Sequence, residues 1–186
     1  MNPTHPPHEN DLYFRSASRL ATLFFPTLDD LGQFESVSAD DLPDDYRALL
    51  AHQNHMTVAL EEFHRSLVDV RAVAEWQDDS SYARCSRLSR ESDGAIVQFG
   101  IMRIWLADLP VAARQEIAAK QSPLGRVLIE HNLLREVELI TLWRIIPGRV
   151  LNEQLELTGA SPIYGRSAQI LVDDRPTVQV LEIVKL

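Results

Sequence analysis

The chain has 186 residues, of which 45% are hydrophobic and 24% are charged, and its formal net charge is −9 at pH 7. This length suits one compact domain with a sizeable core, and the negative charge argues against nucleic-acid binding, which needs a basic surface. No apolar run approaches the ~20 residues of a membrane span. The single cysteine, Cys85, cannot form an internal disulfide, which fits a cytoplasmic location.

The sequence of the first part of the chain indicates an irregular extension followed by two helices. Residues 1–10 carry three prolines and two histidines, a composition typical of disorder. We therefore assign residues 1–45 to a partly disordered N-terminal extension and residues 46–186 to the folded domain. Pro43 and the two acidic residues after it favour a helix start. A second helix is predicted from apolar residues that repeat at helical spacing, namely Met56, Ala59, Leu60 and Phe63.

From residue 67 onward the hydrophobic pattern changes to a period of two, which predicts β-strands. Helices are expected at 108–120 and 122–131, whereas residues 150–162 are predicted to be irregular. Short connections between successive strands indicate an antiparallel sheet with the helices grouped on one side, so the fold class is α+β. The strands are expected at residues 67–76, 82–91, 95–106, 133–146, 164–172 and 177–184.

Charged residues interrupt the apolar faces of four of these strands. Strict alternation places Arg135, for example, on the same face as Val137, Leu139 and Trp143. A charge on a buried face is unfavourable unless it is paired or holds a ligand. Two interpretations are therefore open: an internal ion pair, or an enclosed pocket for a small carboxylate. The residues concerned are Arg84, Arg135, Arg166 and Glu182.

Other polar motifs carry less weight. His52, His55 and the spacing Glu61-x-x-His64 suggest a metal site, but a two-metal carboxylate site needs a second Glu-x-x-His, which this sequence lacks. There is also no phosphate-binding loop or dinucleotide fingerprint. We therefore expect neither a metal nor a cofactor.

Five short motifs in a fixed order, HMTVALE, YARCSRL, SPLGRVL, YGRSAQI and LEIV, resemble the chorismate lyase family. The resemblance is closest to a divergent, chorismate-lyase-like branch of that family and covers roughly residues 49–184. It implies a six-stranded antiparallel sheet with helices packed on one side and a buried site beneath helical flaps. The implied reaction is the cofactor-free elimination of pyruvate from chorismate, which leaves 4-hydroxybenzoate or a related hydroxybenzoate.

The resemblance also implies the site residues. Arg84 matches the arginine that holds the ring carboxylate, and Glu182 matches the carboxylate near the ring oxygen that becomes the phenol; these two are the predicted catalytic residues. Met56 and Leu124 match ligand-contacting positions. Arg135 and Arg166 occupy matching strand segments and are assigned to substrate binding by extension.

Three functions remain open at this stage. The first is a chorismate-type lyase. The second is a non-catalytic sensor of small aromatic acids, because the same fold resembles effector-binding domains of some bacterial transcription regulators. The third is an enzyme on this scaffold that acts on another small aromatic or polyketide acid. In each case the partner is a small carboxylate, without nucleic acid or membrane, and the stretch 49–65 is expected to be a lid over the site.

Overall fold

The computed structural model describes residues 9–119, 121–133, 136–159, 161–172 and 174–186. Seven strands of these residues form one antiparallel sheet in the order β1-β5-β6-β7-β4-β3-β2. The antiparallel arrangement is confirmed, with one strand more than predicted. The strands are β1 Gly32–Val37, β2 Val68–Gln77, β3 Tyr82–Arg90, β4 Ile96–Ile104, β5 Glu136–Pro147, β6 Ile163–Val172 and β7 Arg175–Val184.

Six α-helices and three short 3₁₀ turns accompany the sheet in the described residues, so the α+β class is confirmed. Helix α6 lies in the segment that was predicted to be irregular, and that prediction is wrong. The 3₁₀ turns are Leu28–Asp30, Ala39–Asp41 and Leu106–Asp108. The helices are α1 Glu9–Ala21, α2 Asp44–Leu50, α3 Met56–His64, α4 Val111–Ala119, α5 Leu124–Glu130 and α6 Arg149–Leu155.

The helices cover both faces of the sheet, so the prediction of helices on one side is wrong. Leu20 of α1 and Leu151 of α6 pack in one cluster with Phe99, Trp143 and Ile183 of the sheet. Helices α2 to α5 pack on the opposite face in two further clusters. The prediction failed because the segments that form α1 and α6 had not been expected to be helical.

The region before residue 46 is also part of this packing. Ala17, Leu20 and Ala21 of α1 are buried in the core, and β1 pairs with β5 along its whole length. The boundary predicted at residue 45 therefore does not separate two independently packed parts. The disorder predicted for residues 1–10 concerns mostly residues 1–8, which lie outside the described residues.

A bulge in β5 changes which face its side chains occupy. The β5–β6 register shifts between Leu139 and Thr141, and such an extra residue reverses the alternation beyond it. Val137 packs with α4 and α5, whereas Trp143 packs on the opposite face and donates its indole N–H to Ser167 Oγ at 2.8 Å. The prediction that these residues share one face is wrong.

Candidate functional site

The sheet register brings the polar residues of three strands together. Gly100 on β4 lies opposite Ser86 of β3 and Glu182 of β7. The next row on the same face sets Met102 opposite Arg84 and Val180. Because directly opposite residues of an antiparallel pair share a face, these side chains surround one region of the sheet.

A small cavity of about 50 Å³ lies on this face. Arg84 and Glu182 line it from the sheet, and Pro123 and Leu124 at the start of α5 cover it. Each ordered water needs about 10–15 Å³, and a cavity that holds benzene measures roughly 150 Å³. The cavity therefore has room for a few water molecules and is smaller than a site that encloses a whole aromatic acid.

Arg84 is a charged residue of the cavity wall whose hydrogen-bonding groups are largely unsatisfied. Its side chain is 2% exposed and its Nη2 donates one long hydrogen bond of 3.4 Å to the carbonyl oxygen of Ser122. Its Nε and Nη1 atoms are buried and have no hydrogen-bond partner among the described residues. Burial lowers the pKa of Arg84, and the neighbouring Tyr82 and Glu75 oppose this shift.

Glu182, by contrast, is already paired. Its Oε2 accepts a hydrogen bond of 2.8 Å from Nε of Arg166, and the two side chains are 14% and 1% exposed. This contact is the internal ion pair that the sequence left open as an alternative. Glu182 nevertheless lines the cavity with its remaining surface.

Arg166 also anchors the segment that links α2 to α3. Its Nη1 donates to the carbonyl oxygen of His52 at 2.9 Å, and its Nη2 donates to that of Asn54 at 3.1 Å. All three nitrogens are thus engaged with protein atoms, and Arg166 is not among the described residues that line the cavity. Arg166 therefore lies next to the site, between Glu182 and the segment that links α2 to α3. Arg135, the other predicted arginine, lies outside the described residues.

The predicted lid at residues 49–65 packs against α5 rather than over the cavity. Met56 is buried in a hydrophobic cluster with Leu49 and Leu60 and is not among the described lining residues. Gly125 of α5 lies so close to α3 that a Cβ there would come within 2.7 Å of Thr57 Oγ1. An ion pair between Glu61 and Arg126 also joins the two helices.

The histidines of residues 49–65 lie close to other groups of the protein. His52 Nε2 lies 2.7 Å from the carbonyl oxygen of Leu49. His55 is buried with its Nε2 unpartnered among the described residues, and burial, followed by the charge of Arg166, lowers its pKa to about 4. The described residues contain no cluster of three or more His, Cys, Asp or Glu side chains able to hold a metal ion.

Burial raises the pKa of Cys85 to about 12, which disfavours the nucleophilic thiolate.

Two polar residues of the cavity were not predicted from the sequence. Ser86 and Gln98 both line it, and Gln98 Oε1 is buried without a hydrogen-bond partner in the described part of the chain. The hydrophobic alternation that identified Arg84 could also have identified these two residues, because each is a polar residue on a buried strand face. Gly100 lies in regular pairing and also lines the cavity.

Comparison with known proteins shows the fold. No protein-family model and no curated protein matches the chain. The effector domain of PhnF from Mycobacterium smegmatis is similar in structure, with a TM-score of 0.56 and 13% identity over 71% of this chain and 88% of that one. The longer PhnF structure has the same TM-score of 0.56 and 12% identity over 72% of this chain.

A possible transcriptional regulator, YydK from Bacillus subtilis, has a TM-score of 0.50 and 10% identity over 63% of this chain. The chain spans 64% of the longer PhnF structure and 57% of YydK. Identities this low show a similarity of fold alone, and nothing in these comparisons is specific to an enzyme. No helix in the described residues is both long and apolar enough to cross a membrane.

Proposed function

We propose that this chain is an effector-binding module for a small organic carboxylate, which is held in the cavity beside Arg84. The observation that carries the proposal is the pair of buried, unpartnered nitrogens on Arg84. Buried N–H donors that lack an acceptor are unfavourable, and more so when the group is charged. A carboxylate would supply two acceptors in the planar, bidentate geometry that a guanidinium prefers.

The charges around the cavity favour a monoanion. Arg166 neutralises Glu182, so Arg84 provides the net positive charge of the wall. The rest of the lining is mainly apolar, including Leu88, Met102 and Val180, and suits the hydrocarbon part of an organic ligand.

The polar atoms refine the ligand class. Gln98 Oε1 is buried without a partner among the described residues, and a hydroxyl group on the ligand could donate to it. A hydroxylated carboxylic acid therefore satisfies both orphaned groups at once.

The structural comparisons favour sensing over catalysis. One similar structure is an effector domain and another is a possible transcriptional regulator. In a protein of this kind, DNA contacts would be made by another domain or a partner chain, because the present chain has a net charge of −9.

A chorismate lyase is the second candidate, favoured by one specific observation. Arg84 and Glu182, the two residues to which the family resemblance assigns catalysis, line the same cavity. Aromatisation drives the elimination of pyruvate, so the protein would mainly orient the substrate and place charge. Arg84 would bind the ring carboxylate, and Glu182 would accept the ring proton or hydrogen-bond the leaving ether oxygen.

One experiment separates the two candidates. Purified protein is incubated with chorismate while pyruvate and 4-hydroxybenzoate are quantified, and 4-hydroxybenzoate binding is measured by calorimetry. Binding without turnover, lost in Arg84→Ala, supports the effector module. Release of both products, lost in Arg84→Ala and in Glu182→Gln, supports the lyase. Neither binding nor turnover would contradict both.

The matched control is Arg90→Ala. Arg90 lies on the same strand as Arg84 but pairs with Asp93 in the adjoining turn. This variant should bind 4-hydroxybenzoate as the unmodified chain does. A comparable loss in Arg90→Ala would show that the effect of Arg84→Ala is not specific to the cavity.

A further inference from the structure

A second hollow, of about 280 Å³, lies on the same face of the sheet as the cavity. It is formed between the ends of β2 and β3 and the helix α4. Its lining includes Glu75, Tyr82, Leu106, Arg114 and Ile117.

The two spaces adjoin at Arg84. Glu75, which lines the hollow, is the register partner of Arg84, which lines the cavity. Tyr82 precedes Arg84 by two residues and therefore points to the same face of β3. The side chains of Tyr82 and Arg84 thus lie at the boundary between the hollow and the cavity.

Tyr82 carries a buried polar group at this boundary. Its side chain is 6% exposed, and its hydroxyl is buried without a hydrogen-bond partner among the described residues. Burial raises the pKa of Tyr82, and the charge of Arg84 opposes that shift, as expected for a hydroxyl near the guanidinium. The charge of Glu75 also acts on this hydroxyl, so the hydroxyl lies near both charged groups at the boundary.

We propose that the cavity and the hollow are two compartments of one binding site for an elongated monocarboxylic acid. The inference rests on the proposed function, in which Arg84 binds the carboxylate. The body of the acid passes the Tyr82 hydroxyl and ends against Ile117 and Leu106 beneath α4. The far end is uncharged, because Arg114 and Glu75 bring opposite charges to that hollow.

The sizes of the two spaces support this arrangement. The cavity alone, at about 50 Å³, accommodates only a few ligand atoms, whereas the hollow measures about 280 Å³. Together they reach the lower end of the range of roughly 300–1,000 Å³ that is typical of small-molecule sites. A ligand that extends past the Tyr82 and Arg84 side chains would therefore use the volume of both compartments.

The test blocks the hollow and leaves the cavity intact. Ala118 lines the hollow from α4 and is exposed, so Ala118→Trp adds bulk there without displacing the core. The control is Ala112→Trp, at an exposed position of the same helix that is not part of the lining. Dissociation constants are measured by calorimetry for acetate, butyrate, hexanoate and octanoate with the full chain and both variants.

We expect affinity to rise with chain length in the unmodified protein. Ala118→Trp should weaken octanoate binding by about tenfold or more and change acetate binding by less than about twofold, since a tenfold change corresponds to 1.4 kcal/mol. Ala112→Trp should change neither. Acids that bind through Arg84 with no gain from length, or with no effect of Ala118→Trp, would overturn the two-compartment site and leave the proposed function standing. Failure of every alkanoate to bind while 4-hydroxybenzoate still binds would overturn the two-compartment site alone, and failure of 4-hydroxybenzoate as well would overturn both.

Discussion

Replacing Arg166 by methionine tests whether this residue anchors the fold or binds the ligand. Its Nε holds Glu182 at 2.8 Å, and its other nitrogens hold the carbonyl oxygens of His52 and Asn54. Removing one partner of a buried ion pair costs about 3–5 kcal/mol, because the other charge is left uncompensated. We therefore expect Arg166→Met to lower the free energy of unfolding by about 4 kcal/mol, which for a chain of this size lowers Tm by roughly 10 °C.

Urea unfolding followed by tryptophan fluorescence measures this effect. The double variant Arg166→Met with Glu182→Leu should be more stable than additivity predicts, because it removes both charges. Arg84→Met is the matched control: it is equally buried but unpaired at two nitrogens, so its removal should cost far less stability. If Arg166→Met costs less than about 1 kcal/mol and instead abolishes ligand binding, Arg166 is a ligand residue, as first predicted from the sequence.

Three further substitutions test the surroundings of the site. The pKa of His55 is lowered to about 4, so between about pH 6.5 and 4 the unfolded chain binds a proton that the folded chain does not. The free energy of unfolding should therefore decrease as the pH falls through this window, by up to about 3 kcal/mol relative to His55→Leu. A difference between the two proteins that stays constant with pH in urea titrations would contradict this. Gly100→Ala places a Cβ 3.1 Å from Gln98 Nε2. We expect calorimetry to show weaker carboxylate binding, while the free energy of unfolding rises by up to about 1 kcal/mol. Unchanged affinity would show that the ligand does not contact the cavity wall at Gly100. Gly125→Ala would set a Cβ 2.7 Å from Thr57 Oγ1, so it should destabilise the chain by about 1–3 kcal/mol, and an unchanged urea midpoint would contradict the close packing of α3 and α5.

The sequence predicted the six longer strands because each shows a clear hydrophobic alternation. It missed β1, a six-residue edge strand in which only Gly32 is fully buried. It also missed α6, a seven-residue helix that directly follows Pro147 and Gly148, two residues that usually end an element. Short elements leave too few residues for their period to be recognised.

The site was predictable only where alternation is regular. The structure brings Arg84, Leu124 and Glu182 to one cavity, as the strand faces and the family resemblance suggested together. The carbonyl partners of Arg166 lie more than a hundred residues away in the chain, and no local pattern reveals such a contact. The bulge in β5 was equally hidden, since it arises from pairing with β6 and not from the β5 sequence.

The most direct test of the account is NMR of the arginine Nε–H groups during a titration with 4-hydroxybenzoate. The two buried signals are assigned with the variants Arg84→Lys and Arg166→Lys. We expect the Arg84 signal to shift and its proton to exchange more slowly, because its Nε has no partner in the described residues. The Arg166 signal should stay unchanged, because its Nε already donates to Glu182. An unchanged Arg84 signal in a protein that binds the acid would contradict the proposed site.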